Sequence, residues 1–251
     1  MSSILNLTRR EIYSYFVSPI AYTVIIMFLL IVGLGFFFSV FLYSSLNDTA
    51  IAEGNQNIRT YVIQFMSFWV NLALMLALPA LSMRVLSEER KNGTAELLMT
   101  SPITTTQLVL GKFLGTLAIL ALMLLLTLPL LITIDFWADP EWPALGAAYL
   151  GYFLFGAVIL AIGLFASSLT ENQIVALLMT YPMLLPLWLS ELLLGRFSGW
   201  ANQVVGALSL RNASLTMSLG VIESHAIVLA CGLMFLFLFL CVQVIDSARW
   251  R

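Results

Sequence analysis

Charge is what this chain of 251 residues has least of: only 10% of them are Asp, Glu, Lys or Arg, against roughly a quarter in soluble domains. A water-soluble globule is excluded on that ground. There is no basic tract and no acidic tail, and the net charge is −2, so nothing points to nucleic acid or to a polybasic lipid anchor. Cysteine occurs only as Cys231 and Cys241, in one apolar run and without Cys-x-x-Cys spacing, which excludes a disulfide framework or a cysteine metal site. Both read as buried apolar residues. The single histidine, His225, has no partners for a metal or proton relay and reads as a polar residue at a span end. A phosphate-binding Gly-x-x-x-x-Gly-Lys-Ser/Thr loop is also missing, since Gly111-Lys112 lacks the preceding glycine and is followed by Phe113. The chain does not hydrolyse ATP by that route.

What is present is apolar: 61% of the residues are hydrophobic, and the mean hydropathy is +1.00. A helix rising about 1.5 Å per residue needs roughly 20 apolar residues to cross the hydrocarbon layer. Six segments meet that test, at 20–43, 62–83, 107–134, 145–169, 174–194 and 226–245. They are continuously apolar rather than alternating, which favours helices over a β-barrel. The fold class is therefore an all-α membrane protein with six transmembrane helices, forming one domain over 1–251. The first apolar run is too long for a signal-peptide core and is expected to stay as a span.

With both termini in the cytoplasm, the inner side holds Arg9, Arg10, Arg84, Arg90, Lys91, Lys112, Arg249 and Arg251, and the outer side only Arg59, Arg196 and Arg211. That asymmetry follows the positive-inside rule and fixes the orientation; the expected location is a cytoplasmic (inner) membrane. The N-terminal segment 1–19 sets Ile4, Leu5, Ile12, Tyr15 and Phe16 on one helical face and Ser3, Asn6, Arg10 and Ser14 opposite. It reads either as a helix along the inner surface or as a plain lead-in. In the fifth span, Pro182 and Pro186 remove backbone donors and predict a kinked or broken helix. Segment 195–225 is too polar to cross and too apolar to hang free, so it reads as an outer re-entrant segment, with a folded outer loop as the alternative. Glu191, with Pro182 and Pro186, is a candidate for the path or the outer gate; snorkelling or pairing with Arg196 is the simpler use of that carboxylate.

Segment 84–106, between the second and third spans, carries the most charge: Glu88, Glu89, Arg90, Lys91 and Glu96 surround an apolar patch of Leu97, Leu98 and Met99. Gly93 can end one helix and Thr94 can cap the next, while Pro102 stops it. Such a helix suits a groove in a soluble partner, with apolar anchors for affinity and charges for register. The alternative is a solvated connector whose charges only enforce topology. On spacing alone the connector is the more economical reading.

The stretch from Glu89 to Ile103 resembles the pattern after the second span in permeases of the ABC type-2 transporter family: an acidic residue, Gly93-Thr94, Glu96, Leu97-Leu98, then Pro102. The opening Arg10-Glu11-Ile12-Tyr13 to Ile20 and the closing Gly220 to Ser224 and Asp246 to Arg251 resemble its gliding-motility-associated and nitrous-oxide-reductase-maturation branches. The resemblance implies an interfacial N-terminal helix, a coupling helix between spans two and three, and re-entrant helices between spans five and six. It also implies a dimer of permeases, with a second copy or a homologous chain, bound to a dimer of ABC ATPase subunits. ATP and Mg would then sit on the ATPase, with no cofactor on this chain. Membrane lipid and an extracytoplasmic auxiliary subunit are further implied partners. Glu88, Glu89, Arg90, Gly93, Thr94, Glu96, Leu97, Leu98 and Pro102 become candidates for the ATPase contact. The expected function is a permease of exporter type, transporting a substrate or transmitting force across the membrane. An ATPase-independent channel or secondary transporter is the alternative.

Overall fold

The computed structural model describes residues 2–46, 58–91, 104–135, 142–193, 199, 206 and 209–249, and every regular element among these residues is a helix. In chain order they are α1 (Ser2–Val17), α2 (Pro19–Leu46), α3 (Ile58–Ser82), α4 (Arg84–Lys91), α5 (Thr105–Leu125), α6 (Leu128–Asp135), α7 (Trp142–Leu169), α8 (Gln173–Leu193), α9 (Leu210–Ser218) and α10 (Ser224–Arg249). Among the described residues, six stretches are long and apolar enough to cross a membrane: Pro19–Leu42, Phe65–Lys91, Thr105–Leu130, Pro143–Leu169, Gln173–Ser190 and Ser224–Ser247. The all-α, six-span fold class expected from hydropathy is the observed one.

Helix α7 is the centre, touching α3, α4, α5, α8, α9 and α10. Between helices in lipid, close packing supplies much of the attraction that water supplies elsewhere, and small residues permit it. The sequence of α7 is built for this, with Gly151, Gly156, Gly163, Ala157, Ala161 and Ala166 along its length. At Gly163 a Cβ would stand 2.7 Å from Ser82 Cβ of α3. Leu78 and Leu81 of α3, Leu120 and Met123 of α5, and Phe155, Ile159 and Ile162 of α7 are buried there. The outward faces of α2 and α10 instead show Leu30, Phe37, Phe41, Val228, Phe235 and Phe239.

Four expectations change. The third span is interrupted: α5 ends at Leu125, a turn occupies Leu126 and Thr127, and α6 follows. Pro129 lies just after this turn, at the start of α6, where its missing N–H costs least. Conversely, of the kink or break expected in the fifth span the break does not occur: α8 runs as one helix through Pro182 and Pro186. Cys241 is buried as expected, but Cys231 is exposed on α10. On α1, Tyr15 and Leu7 are buried, whereas Leu5 and Phe16 are exposed.

The last change has a packing cause. Helix α1 lies against α5, where Gly111 and Gly115 leave room: a Cβ on them would come within 2.8 Å of Leu7 Cβ and 2.7 Å of Glu11 Cβ. The face turned to α5 is therefore Ile4, Leu7, Thr8, Glu11 and Tyr15, with Thr8 donating to the Gly111 carbonyl at 3.3 Å. Leu5, Tyr13, Phe16 and Val17 remain uncovered.

Candidate functional site

At one end of the bundle three helices bring charges together. Lys112 sits about two turns into α5, in an otherwise apolar span, and its side chain is only 3% exposed. A buried ammonium needs partners for all three N–H groups. It has them: Glu89 of α4 at 2.8 Å, Glu11 of α1, and the Val85 carbonyl at 3.0 Å. Arg84 pairs with Glu88 at 3.3 Å, donates to Ser18, and lies 5.7 Å from the centre of the Tyr15 ring. A half-open cleft of about 160 Å³ runs between α1 and α4, lined by Arg10, Ser14, Tyr15 and these charged groups. Burial, and then Glu11, push the Tyr15 hydroxyl well above its ordinary range, with Arg84 pulling the other way; its oxygen has no hydrogen-bond partner.

The backbone of α4 is held from a different helix. The turn at Met83 separates it from α3, which leaves first-turn N–H groups unsatisfied. Ser167 of α7 supplies the cap: its hydroxyl accepts from Leu86 N at 3.0 Å and Ser87 N at 2.9 Å, and donates to the Met83 carbonyl at 2.9 Å. On the far side of segment 92–103, Thr104 caps α5 in a capping box with Gln107. The hydroxyl of Thr105 then donates to Asp246 of α10. Both ends of that segment are thus mounted on the bundle, one through α1, α5 and α7, the other through α10.

Of the residues predicted for the ATPase contact, Glu88, Glu89 and Arg90 fall on α4; Gly93, Thr94, Glu96, Leu97, Leu98 and Pro102 lie outside the described residues. Pro182 and Pro186 are exposed on α8, and Glu191 is near that helix's end. The structure does not bring these three to the charged cluster. Sequence reasoning missed Lys112 and Glu11 as members of one site. The available signal was a lysine inside an apolar span, which is costly without a partner.

The opposite half of the bundle is polar in a different way. Here α9 packs on α3, α7 and α8. Ser214 donates to Asn71 Oδ1 at 3.1 Å, Ser67 shares a hydrogen bond with Tyr152, and Thr127 shares one with Tyr149. These bonds tie α9 and α6's leading turn to α3 and α7.

A family description, ABC-2 family transporter protein, matches residues 50–194, more than half of the chain. The chain belongs to the ABC-2 transporter family. No curated protein is similar enough to count as a match. As an ABC-2 protein it is a multi-pass membrane permease subunit of an ABC transporter, the kind of subunit that works with an ABC ATPase and is not itself one. The matched region of this permease contains α3 to α8, and with them segment 92–103, Glu89, Lys112 and Ser167. Glu11 on α1, Arg211 on α9 and Asp246 on α10 lie outside it.

Proposed function

We propose that this permease is the membrane half of an ATP-driven exporter, and that segment 92–103 is the handle through which a separate ATPase moves it. ATP and Mg belong to that ATPase. The observation that supports this most is the mounting of both ends of the segment: Ser167 and the Glu89–Lys112–Glu11 cluster hold α4, and Thr105 to Asp246 holds the start of α5. A push on a rigidly mounted segment moves whole helices, and rigid-body motion of helices is how bundles alternate between states. A solvated connector would need no such anchorage.

In this reading the charged end faces the cytoplasm, both termini are cytoplasmic, and the chain sits in an inner membrane as a dimer, α9 belonging to a re-entrant outer segment. The exposed apolar face of α1, Leu5, Tyr13, Phe16 and Val17, lies along the inner lipid surface. The ends of the chain fit the gliding-motility-associated and nitrous-oxide-reductase-maturation branches, which adds force transmission to transport as an output. An extracytoplasmic auxiliary subunit would meet the opposite end.

The test is purification of the tagged permease with the product of any neighbouring ATPase gene. Glu96→Lys and Leu97→Asp are expected to abolish co-purification or permease-dependent stimulation of ATP hydrolysis while insertion stays normal. Unchanged stimulation in both variants would leave the handle idea without support and favour a channel or secondary transporter.

A further inference from the structure

The sequence has no basic tract, yet the fold makes a cationic face on α1 by sorting three consecutive charges, Arg9, Arg10 and Glu11. Glu11 is turned inward: it pairs with Lys112, and its Cβ lies against Gly115 of α5. Arg9 and Arg10 stay exposed. Glu11 is the only acidic residue of α1, so the outward face of the helix keeps two positive charges and no carboxylate of its own. Arg10 stands at one edge of that face, where it lines the cleft with Glu88 and Glu89. Arg9 stands among apolar residues. Leu5, Arg9 and Tyr13 follow one another at intervals of four and Phe16 comes three later, which sets them in one stripe along the helix. Leu5 is 67% exposed and Tyr13 72%.

The stripe runs on into a spanning helix. Only Ser18 and Pro19 separate Val17 from Ile20, and Ile20, Tyr22, Ile26 and Met27 are exposed along α2, which is long and apolar enough to cross the bilayer. The corner is fixed by the Tyr22 hydroxyl, which donates to the Phe16 carbonyl at 3.0 Å, and by Ser18 N–H, which donates to the Tyr15 carbonyl at 3.2 Å. A face continuous with the lipid-facing side of a span favours lipid over a soluble partner as its occupant. An arginine within such a face lays its methylene stem along the hydrocarbon edge and holds its guanidinium among headgroup phosphates. Behind the face, the Lys112 ammonium is shared by Glu11 of α1 and Glu89 of α4, so the two helices are seated together.

We propose that α1 is a docking surface for anionic phospholipid, with Arg9 as the main phosphate contact and Arg10 as the second, and that the bound lipid steadies α4 through Glu11 and Lys112. This rests on the placement of α1 along the inner lipid surface and deepens it. It does not depend on coupling through segment 92–103.

The test uses the full chain without ATPase or nucleotide, so failure of the handle leaves the result untouched. Nanodiscs of phosphatidylcholine alone are compared with discs that contain phosphatidylglycerol as the minor lipid. Native mass spectrometry reads the lipid retained, and hydrogen exchange reads residues 2–17 and 84–91. Wild type is expected to prefer phosphatidylglycerol and to exchange more slowly in both segments when it is present. At about fivefold per basic residue near an anionic surface, Arg9→Gln is expected to weaken the preference about fivefold, and Arg9→Gln with Arg10→Gln about 25-fold. Glu11→Gln is expected to keep the lipid preference and to lose the slowing over residues 84–91, which separates docking from transmission. Tyr13→Cys in a Cys231→Ser background, labelled with bimane, reads whether the face meets lipid at all, through quenching by brominated phosphatidylcholine. Absence of quenching means that the placement itself fails, and the proposal with it. Quenching without a preference for phosphatidylglycerol, or a double variant that retains this lipid as wild type does, leaves the placement standing and overturns the proposal. Slowing over residues 84–91 that survives in Glu11→Gln overturns the link to α4. Protection of residues 2–17 that appears only when the ATPase is added assigns the face to that partner and also overturns the proposal.

Discussion

Lys112 offers the sharpest test of the charged end. The ammonium is 3% exposed, while the carboxylates of Glu11 and Glu89 are 18% and 22% exposed. At the 2.8 Å of the Glu89 pair, the Coulomb energy is about 6 kcal/mol at an effective dielectric near 20. Hydration of the partly exposed carboxylates cancels about half of that, which leaves roughly 3 kcal/mol, in line with the loss on breaking a buried ion pair. Lys112→Met is therefore expected to lower Tm in detergent by roughly 6–12 °C, at about 2–4 °C per kcal/mol for a chain of this size. The triple variant Lys112→Met, Glu11→Gln, Glu89→Gln removes the stranded carboxylates, and it is expected to recover most of that loss. The readout is thermal unfolding followed by fluorescence-detected size exclusion. A Lys112→Met protein as stable as wild type, or a triple variant no better than the single, would refute the assignment of a mutually compensating cluster.

Ser167→Ala leaves two α4 N–H groups uncapped, at about 1–3 kcal/mol for a buried unsatisfied donor; hydrogen exchange of residues 84–91 is expected to speed up while that of α7 does not. Gly115→Val drives a side chain into Glu11 and is expected to cost about 1–3 kcal/mol and expose α1 to protease. By contrast Gly146→Ala, where a Cβ meets nothing within 4 Å, is expected to be neutral or to gain up to about 1 kcal/mol in the same Tm assay. Tyr15 tests the linkage with pH: burial raises its folded-state pKa above the free value of 10.0, so its share of stability is complete below pH 10 and is lost above it, as the unfolded chain sheds the proton first. Tyr15→Phe is expected to flatten the fall in Tm between pH 10 and 11 relative to wild type, and an unchanged slope would count against a buried Tyr15 hydroxyl.

Much of the fold was legible in the sequence because the membrane reads a local sum. Whether a stretch of about 20 residues crosses depends on its own apolar content, not on what it packs against. Hence the spans were found nearly in place. Local chemistry misled where tertiary context overrides it. Two prolines suggested a kink or a break in α8, and the break did not occur, while an interruption came at Leu126 and Thr127 ahead of Pro129.

The sites were less legible, and for one physical reason. Helical periodicity says which residues share a face, but it does not say which face meets which. Leu5 and Phe16 looked equivalent to Tyr15 on α1, and only the glycines of α5 decided that Leu7, Glu11 and Tyr15 would be the ones covered. Glu11 and Lys112 are a hundred residues apart, and each alone is an ordinary charge near a predicted boundary. Arg211 reads from the sequence as one more charge of an outer segment, and only the packing of α9 on α3 and α8 sets it over the rings of Phe68 and Trp188. Composition and hydropathy were enough to make this chain a six-span membrane protein, since lipid acts on each segment separately. Which charges are buried together was settled only by the approach of helices distant in sequence, because the cost of a buried charge depends on the partner that meets it there.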